Sequence, residues 1–201
     1  AAAEAIHGPV LIVAGPGTGK TRTLTHRLAH LMADHGVPPE QCLALTFSRR
    51  AVGEMIERLE RLLPAQARRV PVMTFHALGL SLLREHGARL GLSQSLRVAS
   101  EIERAELLGQ LLPVSQHAAN QLLRRISQRK RREQAGEPVE KAGDKEAFDL
   151  YQRELRSRGW VDFDDLIVLP VRLLTDNPDL VDHYRGRYRW VSVDEYQGHL
   201  R

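Results

Sequence analysis

Apolar positions in the first ninety residues follow two alternating patterns. Short runs rich in apolar residues occur at 10–13, 42–47 and 70–75, the last with Pro71 near its start. Between and after them, apolar residues recur every three or four positions: Leu24, Leu28 and Leu31; Val52, Met55, Ile56, Leu59 and Leu63; Leu78, Leu82 and Leu83. A short apolar-rich run predicts a strand buried on both faces, and the wider recurrence predicts a helix with one apolar stripe. Gly36 with Pro38 and Pro39, then Pro64, then Gly87 stop the three helices. Strands separated by helices of this length predict βαβ units, hence an α/β fold whose parallel sheet carries helices on both faces.

From about Ser93 the strand pattern disappears. Ser100 and Glu103 form a capping box that opens a helix with Leu107–Leu112 on its apolar side. A second, increasingly basic helix is predicted over 116–132. A third runs over 145–158, with Phe148, Tyr151 and Leu155 on one face and Gly159 past its end. We read 93–158 as an all-helical insertion, with 1–92 plus 159–201 forming the sheet domain that it interrupts. Asp162 caps the next predicted helix, through Leu166, Ile167 and Leu169, with a kink expected at Pro170. Asn177-Pro178 starts another, and 189–193 is a final strand. Only eight residues follow Val193, so the natural chain is expected to continue.

Composition narrows the class. With 42% hydrophobic and 27% charged residues in 201, the chain is ordinary globular protein, not a disordered one. The single cysteine, Cys42, excludes an internal disulfide, fits a reducing compartment, and sits in a predicted buried strand where it should be inert. No apolar run is long enough to cross a bilayer and no signal peptide opens the chain, so we expect a cytoplasmic protein without a membrane partner. A net charge of +4 leans mildly toward polyanions.

Two motifs carry chemistry. Ala14-Gly15-Pro16-Gly17-Thr18-Gly19-Lys20-Thr21 lies between a predicted strand and a predicted helix, the setting of a phosphate-binding loop. Glycines let consecutive N–H groups face an anion, and the helix start adds its positive dipole end. Lys20 can reach the β- and γ-phosphates, and the Thr21 hydroxyl can ligate Mg²⁺. The strict pattern has glycine where this chain has Ala14. At the other end, a strand finishes in Asp194-Glu195. Asp194 would hold Mg²⁺, and Glu195 would orient and deprotonate the attacking water. Together they specify a nucleoside triphosphatase that uses Mg²⁺.

Five ordered blocks extend this reading: Gly15–Leu24, 43–51 (LALTFSRRA), 74–78 (TFHAL), 162–166 (DFDDL) and 193–197 (VDEYQ). In that order they resemble the motifs of UvrD/Rep-type superfamily 1 DNA helicases. The resemblance implies a RecA-like P-loop motor domain and 3′-to-5′ movement on single-stranded DNA. It places Arg22 near the base or sugar, Thr46, Phe47, Ser48, Arg50, Thr74, Phe75 and His76 where the family touches DNA, and Gln197 as the sensor of the γ-phosphate. It implies that the insertion contacts duplex, at junctions, or single strand, and that a second motor domain, supplying arginines to the nucleotide, follows in the same natural chain. Arg49-Arg50 stands where the family usually has asparagine then lysine, and Gly198 where it has aspartate.

Other features stay open at this level. Phe47 is equally a core residue at a strand end, and His76 a helix-start residue. The cluster Arg124, Arg125, Arg129, Lys130, Arg131 and Arg132 is either a phosphate grip or a solvated face. His26 and His30 have metal-ligand spacing but no accompanying third ligand. Asp162, Asp164 and Asp165 read better as a helix N-terminus than as a metal cluster. Two other functions use the same motifs: a P-loop ATPase that remodels proteins without DNA, and a non-hydrolysing DNA-binding scaffold.

Overall fold

The structure, a computed structural model, describes residue 4 and residues 8–13, 18–137 and 145–195. In chain order its elements are α1 (Lys20–Ala33), β1 (Cys42–Thr46), α2 (Arg49–Leu62), β2 (Val72–Thr74), α3 (Phe75–His86), β3 (Arg97–Val98), α4 (Glu101–Leu111), α5 (Gln116–Gln134), α6 (Lys145–Ser157), β4 (Trp160–Val161), α7 (Asp165–Asp176), α8 (Pro178–Arg187) and β5 (Trp190–Val193). They divide into two compact units, Ala1–Phe75 with Pro178–Arg201, and His76–Asn177.

The first unit is built on a parallel sheet of order β2-β1-β5. The central strand β1 is buried along its whole length, as its apolar-rich run requires. Cys42 and Ala44, two apart and therefore on one face, join Leu28 and Met32 of α1 and Met55 and Leu59 of α2 in one core. Burial pushes the Cys42 thiol up to about 11, so it is un-ionised at neutral pH. Ser48 caps α2 by accepting from Ala51 N at 3.1 Å. Pairing in register puts Ala44 opposite both Val72 and Ser192, so the carboxyl ends of all three strands lie at one edge.

The expected strand at 10–13 is not formed. Val10, Leu11 and Val13 are exposed, Val13 to 87%. An apolar run becomes a strand only when a sheet edge receives its backbone groups, and no strand pairs with these residues among those described.

In the second unit, α4, α5 and α6 enclose a core of Leu107, Leu108, Leu122, Ile126, Tyr151 and Leu155. The capping box of Ser100 and Glu103 is present in full. A second cluster joins Leu83 of α3, Val161 of β4, and Leu166 and Leu169 of α7. Here α3 and α7 touch backbone to side: a Cβ on Gly79 would collide with the Leu166 carbonyl. The expectation of no strand within 93–158 is corrected by β3, which pairs in parallel with β4. Two residues each, they are too short to carry an alternation. Pro170 lies inside α7. The helical segment read at 93–158 falls within this unit, which also takes in α3 from His76 onward, β4 and α7.

Two outcomes follow from these contacts. Gly79→Ala should lower stability by about 1–3 kcal/mol, the usual cost of overpacking, as read by denaturant unfolding. Glu103 is held at about 2, below its ordinary 4.5, by accepting the Ser100 backbone N–H and then by Arg97. Its folded value is depressed, so its stabilisation is complete above 4.5 and is lost as pH falls toward 2. The melting-temperature gap between wild type and Glu103→Gln should therefore close over that window.

Candidate nucleotide-binding site

The sheet edge gathers three chain turns. After β5 comes Asp194, whose backbone N–H donates to Leu45 O of β1 at 2.8 Å. That bond continues the ladder one residue past the strand and fixes where the side chain points. Asp194 is buried, and its Oδ2 accepts from the Thr21 hydroxyl at 2.8 Å. Thr21 stands in the first turn of α1, which begins at Lys20 after Gly19 in left-handed conformation (φ 92°). A residue with a Cβ would strain there, so glycine is required at this position. The Lys20 ammonium lies 3.7 Å from Glu195 Oε1. Thus the amino end of α1 and the carboxyl end of β5 bring together a lysine, a hydroxyl and two carboxylates.

Glu195 itself has φ 55°, the left-handed region, and is the non-glycine residue found there among those described. Its backbone N–H turns back to donate to Asp194 Oδ1 at 3.2 Å. Backbone strain of this kind concentrates where a side chain has to be aimed. Ala14, Gly15, Pro16, Gly17 and Gln197 lie outside the described residues. Thr18 and Arg22 flank the helix start, with Arg22 exposed on α1.

Thr21 and Asp194 offer hard oxygen donors side by side at a helix amino end, which suits Mg²⁺ held together with phosphate oxygens. Among the described residues no group of three or more His, Cys, Asp or Glu side chains could hold a metal by itself. The His26/His30 spacing does not build one: His30 bonds Asp34 at 2.6 Å and His35 at 3.2 Å.

The residues expected to face DNA are distributed unequally. Phe47 follows β1 and is 59% exposed, so the reading of it as a core residue is set aside. Ser48 caps α2, and Arg50 is exposed with its Nε donating to Glu54 at 2.9 Å. Thr46 is fully buried, opposite Thr74 in register, and its hydroxyl has no hydrogen-bond partner. Phe75 opens α3, and His76 stacks on Phe163 at 3.8 Å between centroids, 18° from parallel.

The basic cluster on α5 resolves into two kinds of residue. Arg124, Arg125 and Arg131 are exposed, but Lys130 is buried. Its Nζ donates to Asp162 Oδ2 and Asp165 Oδ1, each at 2.7 Å. Arg104 and Tyr151 complete the group: Arg104 Nε donates to Tyr151 Oη at 2.7 Å, and Tyr151 Oη donates to Asp162 Oδ2 at 3.0 Å. Burial alone would raise Asp162, but Lys130 and then Arg104 hold it below the ordinary carboxylate value. Asp165 is raised, because burial and the Asp162 charge outweigh Lys130. A helix-terminus reading of 162–165 was thus half the picture. The acids at i and i+3 bond each other's backbone N–H, and they also neutralise a buried cation. The lone signal in sequence was one lysine among arginines, at a position in phase with Leu122, Leu123 and Ile126.

The family model described as "UvrD/REP helicase N-terminal domain" matches residues 1–199. The chain is 37% identical over 209 residues to an ATP-dependent DNA helicase PcrA of Leuconostoc citreum. It is 31% identical over 212 residues to that of Staphylococcus aureus and 30% over 208 to that of Staphylococcus epidermidis. Each alignment covers 98% of this chain and 28% of the relative's length.

The left-handed backbone at Glu195 predicts opposite results for stability and chemistry. Glu195→Gly should raise unfolding stability by about 1 kcal/mol through relief of that strain, while Glu195→Val should lower it. Chemical denaturation of the pair checks the sign.

Proposed function

The chain belongs to the UvrD/REP helicase N-terminal domain family, and from that premise we propose that it is the nucleotide-binding part of an ATP-dependent DNA helicase that moves 3′ to 5′ on single-stranded DNA. The observation that carries this reading is the pairing of Thr21 with Asp194, which sets Lys20 and Glu195 beside them. In this reading, residues 1–92 and 159–201 form the motor domain, and 93–158 form an insertion that meets duplex junctions. The rest of the motor follows in the same natural chain, and the protein works in the cytoplasm. No helix among the described residues is long and apolar enough to cross a membrane.

The reaction divides among few groups. Backbone N–H groups of the 14–19 loop and the start of α1 receive the phosphates, with Lys20 at the β- and γ-positions. Thr21 and Asp194 hold Mg²⁺, which neutralises phosphate charge when bound. Glu195 accepts a hydrogen bond from the attacking water and takes its proton as the water oxygen bonds to the γ-phosphorus and the bond from that phosphorus to the β,γ-bridging oxygen breaks, leaving ADP and inorganic phosphate. Arg22 lies toward the base or sugar. Gln197 reads the presence of the γ-phosphate.

DNA would meet the strand ends next to this site. Asp194 is pinned by Leu45 O, and two residues after Leu45 comes exposed Phe47. A shift in the nucleotide-bound turn is therefore one hydrogen bond and two residues from a DNA-facing ring. Phe47 and His76 offer rings to bases, while Ser48, Arg50, Thr74 and Phe75 supply polar and backbone contacts to the strand. Thr46, buried, contributes through its backbone.

In the whole protein, Glu195→Gln should cut DNA-stimulated ATP hydrolysis by about 10²–10⁴-fold and leave ATP binding intact. Lys20→Ala should remove nucleotide binding. The 201-residue chain alone, without arginines from a second motor domain, should bind ATP weakly, hydrolyse it poorly and not unwind DNA. ATPase activity of the whole protein that is indifferent to single-stranded DNA would instead favour protein remodelling. Binding of DNA without turnover would favour a scaffold.

A further inference from the structure

We infer that Lys130 is a positioning residue: from inside α5 it fixes the turn between β4 and α7, so that Phe163 is held in a stack against His76. The inference rests on the reading of His76 as a DNA-facing residue.

The turn consists of Asp162, Phe163, Asp164 and Asp165. Its two ends are clamped to each other, with Asp162 N donating to Asp165 Oδ2 at 3.1 Å and Asp165 N donating to Asp162 Oδ1 at 3.0 Å. Those bonds leave Asp162 Oδ2 and Asp165 Oδ1 pointing at the Lys130 ammonium, which binds both. Arg104 Nη2 adds a contact to Asp162 Oδ2 at 3.3 Å. Two cations thus balance two carboxylates in a site where Lys130 is 2% exposed and Asp162 0%. Ions so enclosed cannot separate without leaving an unpaired charge out of water, so the turn has one permitted shape. A third pair, from Arg131 Nη1 to Asp164 Oδ1 at 2.9 Å, holds the remaining acid from the same helix.

Phe163 is the residue this arrangement leaves to the surface. It is 56% exposed, so core packing does not orient its ring. Both neighbours are pinned to α5 instead, and the ring lies flat on His76. Lys130, Asp162 and Asp165 touch neither nucleotide nor DNA in this account. They set the angle at which an exposed ring supports the imidazole. An apolar side chain could fill the position of Lys130, but it could not hold two carboxylates to one point.

The test uses the whole protein. Lys130→Met alone leaves an unbalanced carboxylate and can fail to fold, so it is paired with Asp165→Asn, which restores neutrality. In the paired variant, the His76 imidazole proton resonances should lose their ring-current shielding and move to the positions seen in Phe163→Ala. The concentration of single-stranded DNA giving half-maximal ATPase stimulation should rise about tenfold, the scale of one lost aromatic contact. KM for ATP and the rate without DNA should stay as in wild type. Unchanged His76 resonances in a folded paired variant would overturn the inference. So would a shifted imidazole with unaltered DNA dependence, or a parallel loss of DNA-dependent and DNA-free activity. If the wild-type ATPase does not respond to DNA, the functional reading fails, and the His76 resonances alone still decide whether Lys130 sets the stack.

Discussion

The hydrogen bond from Thr21 to Asp194 joins residues 173 positions apart, and it ties the amino end of the first helix to the carboxyl end of the last strand. Neither partner could be placed without the parallel sheet. Asp194 is held because β5 pairs with β1 and extends that pairing by one backbone bond to Leu45. Thr21 is held because α1 packs Leu28 and Met32 on the same core as Cys42 and Ala44. Parallel strands put all their carboxyl ends at one edge, where open α/β sheets bind ligands. The chemistry of the site is thus a consequence of strand direction: a lysine and a hydroxyl from a helix start meet two acids from a strand end.

The second unit rests on a different kind of constraint. Its helices share an apolar core, but a charged group lies within it, formed by Arg104, Lys130, Tyr151, Asp162 and Asp165. Such groups give little net stability over apolar residues of the same size. What they provide is a single geometry, because every donor and acceptor has one partner set that avoids an unpaired charge. The residue presented by that geometry is an exposed phenylalanine lying on a histidine.

Much of this was legible in the chain itself. Short apolar-rich runs located β1 and β2, and three- and four-residue spacing located α1, α2, α3 and α6, because both periods follow from backbone geometry alone. The capping box at Ser100 and Glu103 was readable since its two partners are only three residues apart. The juxtaposition of Lys20, Thr21, Asp194 and Glu195 was readable because their types and flanking elements are jointly restrictive. What failed depended on long-range pairing. The apolar run at 10–13 looks like β1 in composition, yet no sheet edge takes it up among the described residues. The strands β3 and β4 exist only because they meet across sixty-odd residues, and two positions hold no period. Lys130 could not be told from the five arginines of its cluster, since burial of one cation is decided by acids 32 and 35 residues away. The left-handed conformation of Glu195 has no signature in an ordinary Asp-Glu pair.

The central claim is that Thr21 and Asp194 jointly hold the ion that accompanies a triphosphate. Its most direct test is a crystal of the protein grown with Mn²⁺ and a non-hydrolysable ATP analogue, with anomalous scattering used to locate the metal. The account predicts one strong anomalous peak bonded to the Thr21 hydroxyl and bonded, directly or through a water, to Asp194, with the γ-phosphate against Lys20. A nucleotide bound with its metal away from both residues would contradict it.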